Sequence, residues 1–137
     1  MNIVLDTNTV ISGLFWKGAP RQILDLARSG TFTLFTSPEL LAELADVLGR
    51  SKFSTRLEQA NTSSEELVLG YASLAITVRP NKIAPVIKAD PDDDNVLACA
   101  KIANAEIIAS GDRHLLHLNE YEGIKIMSVN RLLEEYT

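Results

Sequence analysis

The sequence predicts an α/β fold: a three-layer α/β/α sandwich around a central, mostly parallel β-sheet. Short apolar, β-branched runs alternate with segments of helical periodicity along the whole chain. The opening run "NIVLD" is apolar on successive residues, as in a strand buried on both faces. Acidic residues stand just past such runs, at the carboxyl ends of strands where parallel sheets collect ligands. Right-handed crossovers between parallel strands place helices on both faces.

Each element has its own signal. After "NIVLD", the stretch "TVISGLFW" predicts a short helix broken by "KGAP". "PRQILDLARSG" has Pro20 at its start, apolar residues at helical spacing and Gly30 as a stop. "TFTLFT" is a second strand. "SPELLAELADVLGR" follows as a helix with Ser37 as N-cap, Pro38 at the first position and Glu39 facing the positive helix end. "TSSEELVLGYASLA" is another helix with a Ser/Thr cap and glutamate in its first turn. "ITV" is a short strand and "PNKIAP" a connecting loop. A helix beginning near Asp94 runs through "NVLACAKIAN". Then come the strand "AEIIAS", a turn and short helix in "GDRHLLHL", the strand "IKIMS" and a closing helix "NRLLEEY".

Residues 1–137 fit one domain with enough chain for a real core, and 46% apolar with 23% charged residues is ordinary for a globular protein. No apolar run approaches the roughly 20 residues that span a bilayer. The start "MNIVLDTN" lacks a signal-peptide layout, and a single cysteine, Cys99, excludes a disulfide framework. The expectation is a cytoplasmic protein without a membrane partner. The net charge of −5 is misleading: with four carboxylates neutralised by a cation, 14 acids face 13 bases. Charge alone therefore neither supports nor excludes a polyanionic substrate.

Four acids are singled out by position. Asp6 ends the first strand. Glu43 lies one step beyond Val47 on its helix, at the border of the arc formed by Leu40, Leu41, Leu44, Val47 and Leu48, so it can lean over the sheet edge. In "DPDDD", one or two acids would be explained by the helix N-terminus, but four repel one another. Asp90 with Pro91 is expected to make the turn and Asp92 or Asp93 to cap. Asp94, nearest the apolar helix, is expected to point inward. Asp112 follows "AEIIAS" across Ser110 and Gly111. Clustered carboxylates cannot all stay ionised without a cation, and hard oxygen ligands without a cysteine or histidine set indicate Mg²⁺ or Mn²⁺.

With these residues in place, the chain resembles the PIN-domain family of metal-dependent ribonucleases, most of all its bacterial toxin–antitoxin group. The resemblance is carried by "VLDTNTVISGLF", "SPELLAELADVL" with "RSKF" after it, "DPDDDNVLACAKIANAEIIASGDRHLL" and "IMSVNRLL", in this order and nearly end to end. It implies one PIN-like nuclease domain over residues 1–137, with Asp6, Glu43, Asp94 and Asp112 as catalytic metal ligands. It also suggests supporting polar roles for Asn8 and Ser110, an RNA substrate, a cognate antitoxin and a homodimer. Many relatives carry an acid two residues after the equivalent of Asp112; here that residue is His114.

Other residues draw plainer readings. Arg113, next to Asp112, is the basic residue expected near a phosphate. His114 and His117 make two ligands without a third, and Cys99 reads as a small core residue. Phe15 and Trp16 read as packing residues, and Arg50, Lys52 and Arg56 as a modest basic cluster on a loop. Two other functions compete with the nuclease: a Mg²⁺-binding, receiver-like phosphoacceptor switch, and a non-catalytic domain that binds RNA or protein. The switch lacks a lysine at a late strand end, since Lys125 falls inside "IKIMS". A non-catalytic domain has no use for unpaired carboxylates, which destabilise it.

Overall fold

The computed structural model describes residues 1–137. Six strands form one sheet: β1 (Asn2–Leu5), β2 (Thr33–Thr36), β3 (Ile76–Thr77), β4 (Ile107–Ala109), β5 (Glu120–Tyr121) and β6 (Ile124–Met127), in the order β3-β2-β1-β4-β6-β5. Every pair is parallel except β5 with β6. Eight α-helices accompany them: α1 (Thr7–Phe15), α2 (Ala19–Arg28), α3 (Pro38–Leu48), α4 (Ser54–Gln59), α5 (Ser64–Leu74), α6 (Asp92–Ile102), α7 (Arg113–Leu118) and α8 (Val129–Tyr136).

The period-2 alternation of the strands sorts the core into two clusters. Ile3, Leu5, Leu34, Ile107, Ala109 and Met127 join residues of α1, α2, α3, α5 and α8 in one cluster. Val4, Ile108 and Ile126 join Val96, Leu97 and Ala100 of α6 and Leu115 of α7 in the other. Strands that bury both faces need apolar residues at every position, which is why "NIVL" and "IIA" show no polar alternation.

Local chemistry sets the helix ends. Ser37 Oγ accepts from the Leu40 backbone N–H at 3.2 Å, Ser63 Oγ from Glu66 N–H at 3.2 Å, and Ser128 Oγ from Arg131 N–H at 3.2 Å. At the close of α1, the Arg21 side chain donates to the carbonyls of Gly13 and Leu14 at 3.0 and 2.8 Å, satisfying groups that a helix end leaves open. Gly13 lets α2 come close: a Cβ there would stand 2.8 Å from Leu24 Cδ1.

Three features depart from the sequence reading. The basic segment after α3 is not a loop but a 3₁₀ turn (Ser51–Phe53) followed by α4. Arg50 pairs with Asp46, while Arg56 donates to the Phe15 carbonyl and lies over the Phe15 and Trp16 rings. Arg50 and Arg56 are thus committed to structure. The strand β5 was not expected, and α6 begins at Asp92, two residues before Asp94. No helix is long and apolar enough to cross a membrane.

Candidate metal centre

The strand order reverses around β1. The chain leaves β1 for β2 and β3 on one side, then crosses back to β4 and β6 on the other. Such a reversal opens a crevice at the carboxyl ends of the diverging strands, here β1 and β4. Asp6 follows β1 directly, and Ser110 and Asp112 follow β4.

Asp6 is held from two directions. As N-cap of α1, its Oδ1 accepts from Thr9 N–H at 3.0 Å, and its Oδ2 accepts a short hydrogen bond from the Ser110 hydroxyl. Ser110 Oγ in turn accepts from Asp112 N–H at 2.9 Å, and Asp112 caps α7 by accepting from Leu115 N–H at 3.0 Å. Asp6 and Ser110 are both buried, so a continuous relay joins the ends of β1 and β4 through residues 104 apart in sequence.

The DPDDD run resolves differently from the expectation. Asp94 does not point at this crevice. Its carboxylate accepts from the backbone N–H groups of Val86 and Ile87 at 3.2 and 2.9 Å, and it borders a separate cavity of about 370 Å³ with Glu39 and Lys82. Asp93 is the inward residue. It is 7% exposed, and ligand oxygens of Asp90, Asp93 and Asp112 lie within 4.8 Å of one another. The physical reason is helical phase: Asp93 shares the buried stripe of Val96, Leu97 and Ala100, at spacings of three, four and seven residues.

Electrostatics mark the same group. Burial, then a hydrogen bond to Asp112 and repulsion from Asp112, Asp90 and Asp6, push the Asp93 carboxyl up to about 8. The proton kept by Asp93 explains its partner. Burial would raise Asp112, but the hydrogen bond from Asp93, the Leu115 and His114 backbone N–H groups and the nearby His114 ring hold it below the usual range. Glu43 is half-buried and raised by burial and by Asp92, Asp90 and Asp6. Thr7 lies close enough to oppose that rise, although its buried hydroxyl makes no hydrogen bond of ordinary geometry.

Asp6, Glu43, Asp90, Asp93 and Asp112 therefore share one electrostatic neighbourhood, and none of them is in an ion pair. Asp93 Oδ2 is buried without any hydrogen-bond partner. A buried carboxyl oxygen without a partner is costly, and more so if the group ionises; a hard divalent cation among the carboxylates removes that cost. The donor set thus fits such an ion. Asn8 is exposed; with Ser110, Asp112 and Arg113 it lines a groove of about 650 Å³ alongside the cluster. Sequence reasoning missed Asp90 as a member. Its placement depends on the path of the loop before α6, which carries no periodic signal.

A sheet of mostly parallel strands that gathers unpaired carboxylates at its switch point defines an α/β domain with an acidic cleft. The chain belongs to the PIN domain family, whose model matches residues 2–114. PIN domains are in general nucleases, and PIN nucleases use divalent metals. No curated protein matches the chain.

Proposed function

We propose that the protein is a divalent-metal-dependent endoribonuclease that hydrolyses RNA phosphodiester bonds, with Asp6, Glu43, Asp93 and Asp112 as ligands of Mg²⁺ or Mn²⁺ and Asp90 beside them. The observation that carries this reading is the buried, partnerless Asp93 oxygen within a set of acids that form no ion pair. Asp93 takes the place that the sequence pattern allotted to Asp94, which is committed to Val86 and Ile87.

A bound divalent ion supplies two things here: it neutralises phosphate charge and lowers the pKa of a coordinated water. The chain's own residues supply placement. Ser110 and the Thr9 N–H fix the two oxygens of Asp6, and the α7 N-terminus fixes Asp112. Displacing the proton from Asp93 completes a ligand set that is incomplete in the free protein. Arg113 and Asn8, along the adjoining groove, hold the RNA backbone. No serine or cysteine nucleophile is required. The receiver-like alternative gains nothing, because Lys125 is exposed in the middle of β6.

The motif order supports a finer role as the toxin of a toxin–antitoxin pair, with a cognate antitoxin and a second copy of the chain as partners and one nuclease domain over 1–137. The test is direct. Purified protein should cleave RNA with Mn²⁺ or Mg²⁺, stop in EDTA, and lose at least about 100-fold on Asp6→Asn, since even residues that only support a ligand are worth about 10–100-fold. Unchanged cleavage by Asp6→Asn would remove this site from the reaction.

A further inference from the structure

Beside Asp112 the surface changes sign. A cavity of about 430 Å³ opens between the segment before α6 and helix α7, walled by Lys88, Arg113, His114, His117, Val86 and Leu118. No aspartate or glutamate lines it. Lys88 and Arg113 make no ion pair, although an acid cluster lies within a residue or two of each. Lys88 and Arg113 thus face one cavity from its two sides, beside acids that themselves form no ion pair.

The wall is built in advance. Ile87 is buried in the α6-side core, and Asp94 grips the Val86 and Ile87 backbone N–H groups, so the segment carrying Lys88 is pinned at its root. Across from it, Arg113 and His117 are four residues apart on α7 and so share a helix face. Arg113 also borders the polar groove lined by Asn8, Asp112 and Ser128. The two cavities share Arg113, and Asp112 lines the first, so the polar groove and the basic pocket adjoin at the acid cluster.

We propose that this pocket binds the phosphodiester and nucleoside of the RNA strand adjacent to the linkage at the acid cluster. Lys88 and Arg113 take the phosphate oxygens, Val86 and Leu118 cover a face of the sugar or base, and His117 offers a ring nitrogen to it. Asp94 is a positioning residue for this pocket, acting through the backbone it holds. The inference rests on the nuclease reading for its substrate.

The experiment uses the full chain with Asp6→Asn, so that RNA is not consumed, and a fluorescein-labelled single-stranded oligoribonucleotide. Anisotropy is followed from roughly 50 to 200 mM salt with Mn²⁺ present. Adding Lys88→Gln and Arg113→Gln should weaken binding about tenfold and lower the slope of log affinity against log salt by about 1.4, since each single-strand phosphate contact contributes about 0.7. Calorimetric Mn²⁺ uptake should persist in that protein. Lys82→Gln, which removes a charge from the same segment outside the pocket, should leave the slope unchanged. An unaltered slope in the double variant, or an equal loss from Lys82→Gln, overturns the pocket. If wild-type protein fails to cleave RNA while the double variant still loses this slope, the pocket stands and only the hydrolytic reading falls.

Discussion

Replacing Asp93 by asparagine keeps the shape of the side chain and fixes it in the equivalent of its protonated state. In the metal-free protein the Asp93 carboxyl is raised from 3.8 to about 8. A raised folded value means that the native state retains a proton which the unfolded chain releases. This group's contribution is therefore fully present below about pH 4, declines as pH rises, and is gone above about pH 8. Each pKa unit is worth about 1.4 kcal/mol. Asp112, lowered by the same contact, acts in the opposite direction. The net loss by pH 8 is Asp93's contribution less what Asp112 returns, on the order of a few kcal/mol, which matters against an ordinary domain's stability. Asp93→Asn should thus be more stable than wild type at pH 8 in EDTA, with Tm up by several degrees, and nearly equal to it at pH 4. Mn²⁺ at 100 times its Kd should stabilise wild type by about 2.7 kcal/mol and the variant hardly at all. Scanning calorimetry at both pH values, with EDTA and with Mn²⁺, reads all of this. A variant less stable than wild type at pH 8 in EDTA, or one that gains as much from Mn²⁺, would refute the reasoning.

Two further substitutions separate holding from binding. Ser110→Ala leaves the buried Asp6 oxygen and the Asp112 N–H without their shared partner, and urea denaturation should show a loss of about 1–3 kcal/mol. Asp94→Ala frees the Val86 and Ile87 N–H groups and should cost a similar amount, yet calorimetric Mn²⁺ affinity should stay within about threefold of wild type, since Asp94 stands outside the acid cluster. A collapse of Mn²⁺ binding in Asp94→Ala would restore that residue to the ligand set.

The layered fold was legible because its main strands are short apolar runs and its helices carry explicit caps. Ser37, Ser63 and Ser128 all cap where serine stands before a helical pattern. What was not legible depends on distant contacts. Helix α4 has six residues, too few for a periodic signal, and is tied down by Arg56 reaching back 41 residues to Phe15. Strand β5 has two residues and exists only through its antiparallel pairing with β6. In the site, the positions of Asp6 and Asp112 followed from strand ends, whereas the residue of DPDDD that turns towards Asp112 is Asp93, the neighbour of the one expected to point inward. Proximity to the apolar stretch misled; counting back three and four from Val96 and Leu97 would have reached Asp93.

The Asp6–Ser110 bond has a consequence for biosynthesis. Asp6 leaves the ribosome 104 residues ahead of the hydroxyl that orients it, and the carboxylate opposite it follows later still. β4 must pair with β1 before the two halves meet, so a nascent or prematurely ended chain lacks a complete centre. On the nuclease reading proposed above, the chain would in this way stay harmless to the message from which it is being translated until β4 and Asp112 have emerged.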